Sequence, residues 1–134
     1  PGRWTDIGAA VLSWMAPDDY LLAGPEAEAA PFVARVTRAL EGHHALVTDL
    51  SHARAVFQLA GAGARDALAA HCPLDLSENR FPIGSVTRSL IGDAGVMIGR
   101  YTDLDGAPNF TLIVDQTMAL YVRRIITQHN MEQL

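Results

Sequence analysis

The chain has 134 residues, 49% of them hydrophobic, and a formal net charge of −5, which suffices for one compact core but not two. An acidic balance without clustered basic residues argues against a nucleic-acid surface. All ten basic residues are arginine, which removes both a Schiff-base lysine for pyridoxal phosphate and the lysine of a phosphate-binding loop.

The opening PGRWTDIGAAV has neither the basic-then-apolar pattern of a signal peptide nor that of a transit segment. No apolar run approaches the ~20 residues of a membrane span. Cys72 is the only cysteine, so no internal disulfide can form, and the expectation is a soluble cytoplasmic domain. Residues 7–15 and 20–23 are apolar runs around the turn APDD, whose Pro and Asp predict a β-hairpin. Gly24-Pro25 ends its second strand. Over residues 27–40, Phe32, Val33, Val36, Ala39 and Leu40 recur at helical spacing, with Gly42 as the stop. Pro31 lies inside that run, which places the start of the regular helix there.

The segments HALVTDLS (44–51) and ARAVFQLAG (53–61) are rich in β-branched and aromatic residues and predict two paired strands. Residues 64–71 predict a short alanine-rich helix, ended by Cys72-Pro73. Residues 85–91, 95–102 and 109–114 read as three strands, joined through GDAG and DLDGAPN into a meander. A last helix runs from 116 to about 128, with Asp115 as N-cap and Met118, Leu120, Tyr121, Ile125 and Ile126 as its buried face. The order ββα-ββα-βββα predicts a single α+β domain over 1–134, mainly antiparallel sheet with three helices.

The candidate chemistry is thin. GAGARD follows a strand and opens a helix, as a dinucleotide fingerprint must, but Asp66 stands where the third glycine belongs. The helix it opens is short, and the segments that follow pair as a meander with no parallel crossover. Gly61 and Gly63 are expected to serve a close approach of strand and helix, with no nucleotide bound. Cys72 adjoins His71, yet neighbouring helical residues do not face one another, so a structural, slowly alkylated thiol is expected. His43, His44, His52, His71 and His129 show no metal-ligand spacing. Asp18 with Asp19 and Asp103 with Asp105 lie in turns, where aspartate is favoured for its bonds to nearby backbone.

The stretch LAGAGARDALAAHCPLDLSENRFPIGSVTRSLIGDAGVMIGR resembles the gamma-subunit family of heterotetrameric sarcosine oxidases. The resemblance rests on Gly63, Arg65 and Asp66 in a turn, an alanine–leucine helix, and Cys72 with Pro73, Leu74, Asp75 and Leu76. Phe81, Pro82 and Gly84 then match a Phe-Pro-x-Gly strand entry. The hairpin VLSWMAPDDYLLAGP and the closing FTLIVDQTMALYVRRII are similar to the family's first and last elements, although family members carry a longer N-terminal segment. More distantly, the chain is similar to the folate-binding domain of glycine-cleavage aminomethyltransferases.

That resemblance implies an aminomethyltransferase folate-binding-domain-like fold and a subunit without an active site of its own. The assembled oxidase would demethylate sarcosine to glycine with formation of peroxide, passing the one-carbon unit to tetrahydrofolate. FAD, FMN, NAD and zinc would belong to the other subunits, leaving no cofactor in this chain. Its partners would be a large alpha-type subunit together with beta and delta subunits, and the isolated chain is open to self-association. The connector PLDLSENRFP (73–82) offers Leu74, Leu76 and Phe81 as the expected subunit interface, the alternative being a lid on the chain's own core. A different functional class, a stand-alone folate-type binding module, would cast Asp115 and Tyr101 as contacts to a pterin.

Overall fold

The structure, a computed structural model, describes residues 1–132, with side chains as far as Gln128. Strands β1 (Arg3–Ile7), β2 (Ala10–Ala16) and β3 (Asp19–Ala23) form a three-stranded antiparallel sheet in that order. The expected hairpin is therefore β2–β3, and the apolar run that begins at Ile7 is split. Gly8 and Ala9 make a turn, with Gly8 at φ +83°, so Ile7 closes β1 and pairs with Ala10. Helix α1 (Glu26–Ala39) follows, then β4 (Arg54–Ala60), α2 (Ala64–Ala69), β5 (Val86–Ile91), β6 (Ala94–Arg100) and β7 (Asn109–Asp115). A 3-10 turn at Gln116–Met118 leads into α3 (Ala119–Glu132).

The second sheet has the order β4-β7-β6-β5, antiparallel throughout. The β5–β6–β7 meander is as expected. The partner assigned to β4 is not. Residues 44–51 form no strand, and β4 pairs instead with β7, from Arg54↔Asp115 to Ala60↔Asn109. β-propensity describes a fit to a pleated surface, and 44–51 has no strand beside it to supply one. Asp49 accepts hydrogen bonds from the Ser51 amide and hydroxyl, which turns the chain where a strand would have to continue.

Helix α1 begins at Glu26, five residues before Pro31, so the expected start is corrected. The proline forfeits one bond to the preceding turn. Glu26 and Glu28 offset this by facing the positive end of the helix dipole. No residue of α1 is buried: Phe32, Val33 and Val36 are half-covered and Ala39 is exposed.

The main core lies between one face of the four-stranded sheet and the layer made by α2, α3 and the 72–81 connector. Ile98, Phe110 and Leu112 of the sheet meet Leu68 of α2 and Val122 of α3, all fully enclosed. Strands β6 and β7 are buried on both faces and accordingly read as near-continuous apolar runs. On the opposite face Val86, Met97 and Ile113 make a smaller cluster, covered by Trp4, Met15, Leu21 and Ala23 of the three-stranded sheet. Backbone bonds from Val86 N to Gly2 O and from Trp4 N to Gly84 O stitch the two sheets together.

Candidate functional site

The small sheet covers the large one only at its β5 side. Toward β4 the face stays open, and a groove of about 630 Å³ runs there between β3, α1, the 46–52 segment and the outer side of β4 and β7. Its floor is Val56 and Ile113, and its walls carry Tyr20, Phe32, Val33 and Leu46. Leu46 is 90% exposed, Val56 61% and Tyr20 56%, an apolar surface that a free domain would be expected to cover. A second hollow of about 540 Å³ shares Tyr20, Leu50, Arg54 and Ile113 with the first and continues it toward Met97. The 44–51 run was the available sequence signal, since it is apolar and β-prone yet finds no strand partner.

Two of the charges that line the groove, Arg54 and Asp19, are paired. Arg54 Nη1 lies 3.0 Å from Asp115 Oδ2, and Arg88 Nη2 lies 2.5 Å from Asp19 Oδ2. Glu26 and Asp49 line the same groove with no ion pair to an arginine among the described residues. The Ser51 hydroxyl and then its amide hold the Asp49 carboxyl below its ordinary value, with His52 adding to the effect, so Asp49 stays charged.

The expected interface residues behave differently. Leu76 and Phe81 are buried in the main core and Leu74 packs against it. The 73–82 connector is thus a lid on this chain's own core, and the exposure on which the interface expectation rested is absent. The lid is fastened by charge: Glu78 pairs with Arg65 of α2 and with Arg100 of β6, at 3.2 Å in the second case. Arg100 is wholly enclosed, also pairs with Asp103, donates to Tyr101 O at 3.1 Å and lies 5.2 Å from the centre of the Phe110 ring. Asp19 and Asp103, read from sequence as solvated turn residues, are each an arginine's partner.

The Gly61–Gly63 turn joins β4 to the six-residue α2, beside a sheet whose pairings are antiparallel. A Cβ at Gly61 or Gly63 would meet nothing within 4 Å, so close approach is not what the glycines serve. Gly61 is required by its φ of +125°, a conformation that side chains disfavour. Cys72 is buried, its Sγ 3.5 Å from Ser89 Oγ. Among the described residues no three His, Cys, Asp or Glu side chains gather where a metal would need them. His129 lies outside the described side chains.

The two residues cast as pterin contacts are not brought together. Tyr101 N bonds Asn109 O at one end of β7, whereas Asp115 ends the same strand, about 20 Å away at 3.4 Å per residue. Tyr101 is stacked on Trp4, ring centres 4.4 Å apart, and burial raises its phenol pKa despite a hydrogen bond with Ser13. Asp115 caps the 3-10 turn that leads into α3, so the α-helix expected from 116 begins only at Ala119; it accepts from the Thr117 amide at 2.9 Å and hydroxyl at 2.7 Å.

A family model described as the sarcosine oxidase, gamma subunit family matches residues 4–132. The sarcosine oxidase subunit gamma of Arthrobacter sp is 32% identical over 93 residues, covering 69% of this chain and 44% of that protein. Its counterpart from Corynebacterium sp. (strain P-1) is 33% identical over 93 residues, with the same 69% and 44% coverage. The chain thus spans about half the length of the curated relatives it matches. Among solved structures, a heterotetrameric sarcosine oxidase from Corynebacterium sp. U-96, in complex with pyrrole 2-carboxylate, superposes with a TM-score of 0.83. That match covers 94% of this chain and 63% of the other at 24% identity, and shows the shared fold.

Proposed function

The chain belongs to the sarcosine oxidase gamma subunit family, and on that premise we propose that it is the non-catalytic, structural subunit of a heteromeric flavin-dependent sarcosine oxidase. In this reading the complex oxidatively demethylates sarcosine to glycine in the cytoplasm, forms peroxide and hands the one-carbon unit to tetrahydrofolate. FAD, FMN, NAD and zinc are held by its other subunits, which are of alpha, beta and delta type. This chain contributes a folded surface. The observation that carries the reading is the family match over residues 4–132. The open apolar groove agrees with it, because contiguous exposed patches on a small domain mark contacts with a partner.

The test is co-expression of this chain with the alpha-, beta- and delta-type chains of its source. The expected result is that a tag on this chain recovers the whole oxidase, and that sarcosine-dependent peroxide formation elutes with it. An active oxidase that assembles without the chain would overturn the proposal. So would tetrahydrofolate binding by the isolated chain with no tendency to join the others.

A further inference from the structure

Strand β4 is an edge. Its register with β7 is unbroken over seven residues, Arg54–Ala60, with no bulge and no proline. Gly61 N bonds Pro108 O just past one end of that ladder, and Gln116 N bonds Ala53 O just past the other. In an antiparallel ladder, hydrogen-bonded pairs alternate with non-bonded ones. Residues 55, 57 and 59 therefore face β7, while Arg54, Val56, Gln58 and Ala60 turn their N–H and C=O groups outward. All four of these are exposed, and among the described residues no backbone bond closes that side. The opposite edge is engaged, since Gly2 and Trp4 bond the chain around Gly84 and Val86 at the entry to β5. Natural edge strands are blunted by lysine, proline, bulges or a cover, and β4 has none of these. Its one charge, Arg54, is tied to Asp115.

We propose that an extended segment of the large subunit adds to β4 as a fifth strand and lays apolar side chains into the groove over Val56 and Leu46. This rests on the subunit reading and names the surface that serves it. Strand addition takes affinity from main-chain bonds and specificity from pockets for alternate side chains, and both are present at β4. Charge selects the occupant. Glu26 and Asp49 border the groove without an arginine partner, so they favour a segment whose apolar residues are flanked by arginine or lysine. A second copy of this chain brings a net charge of −5, and its β4 has no acidic residue to set against Arg54.

Hydrogen–deuterium exchange on the chain, free and bound to the large subunit, tests the proposal. The Val56, Gln58 and Ala60 amides should slow by about tenfold or more on binding, as amides entering a ladder do. Gln58→Pro removes an outward N–H that β7 does not use, and Leu46→Asp changes a side chain already in water. Each should leave the melting temperature of the isolated chain near wild type and weaken assembly by about tenfold or more. If the wild-type complex forms while those amides exchange as fast as in the free chain, the fifth strand is overturned and the subunit reading stands. If the wild-type chain does not bind the large subunit, both are overturned. If the chain alone dimerises with those amides protected, the occupant is a second copy and the large-subunit assignment is overturned.

Discussion

Arg100 has no solvent exposure, so its charge depends on what surrounds it: Asp103, Glu78, one carbonyl and the Phe110 face. Removing one partner of a buried pair is far costlier than the pair's net worth, because the other charge stays desolvated. Asp103→Ala should lower stability by about 2 kcal/mol, less than for a fully buried pair because Asp103 is a third exposed. Glu78→Ala should cost less than Asp103→Ala, since the Glu78 side chain is 65% exposed. Urea unfolding of the two variants would order them, and an equal or reversed order would contradict the account. Asp115 carries the pH dependence at this scale. The Thr117 hydroxyl, then the Thr117 amide, then Arg54 hold its carboxyl below the ordinary 3.8. A depressed folded pKa contributes stability above the unfolded value, lost as pH falls through the folded one. Asp115→Ala should therefore lower the melting temperature by roughly a few degrees near neutral pH. The difference from wild type should shrink as pH drops below 3.8, and melting curves across pH 2–7 would show the two converge.

At the scale of elements, α3 separates what periodicity can and cannot assign. Residues 118, 121, 122, 125 and 126 follow the 3.6-residue stripe, and Val122 is the enclosed one that sequence reasoning passed over. Leu120, expected inside, is 66% exposed because it sits one position round the helix from the stripe. Val122→Ala should cost about 2 kcal/mol through the cavity it leaves. Leu120→Gln should change stability by less than about 0.5 kcal/mol. Thermal unfolding of the pair would reverse that ranking only if α3 were rotated on its axis. Helix α1 shows the complementary case: its stripe is regular, but it ends half-covered against an open groove. Periodicity states which face is apolar, not how much lies beneath it.

For the whole molecule, the 73–82 connector decides whether the core is closed. Leu76 and Phe81 retain 3% and 7% of their exposure. Truncating such side chains costs about 3 kcal/mol or more apiece, against a total stability of roughly 5–15 kcal/mol. Replacing both by Ser should remove about 6 kcal/mol or more and lower the melting temperature of the isolated chain by roughly 20 °C, read by near-ultraviolet circular dichroism. A double variant that melted like wild type would return the segment to the surface.

Turn chemistry, caps and short periodicities act within a few residues, and these were legible in the chain itself. The β2–β3 turn at Pro17 and Asp18, the β5–β6–β7 meander, the Asp115 cap and the buried Cys72 all follow from neighbours in sequence. The α+β class followed from the same local signals read together, while the resemblance rested on the motif residues between Gly63 and Gly84. What lay beyond them was every choice between distant partners. Arg54 meets Asp115 across 61 positions, and in taking β7 as its neighbour β4 left residues 44–51 without a strand to join. Residues 44–51 hold Val47 and Thr48, and 54–60 hold Val56 and Phe57, so the β-branched and aromatic content is alike and local propensity could not say which would be paired. Leu76 and Leu46 are equally apolar, and only the packing of α2, α3 and the lid around one of them put it inside while the other stayed in water. Hydrophobicity is a property of the side chain. Burial is a property of what the rest of the fold places over it.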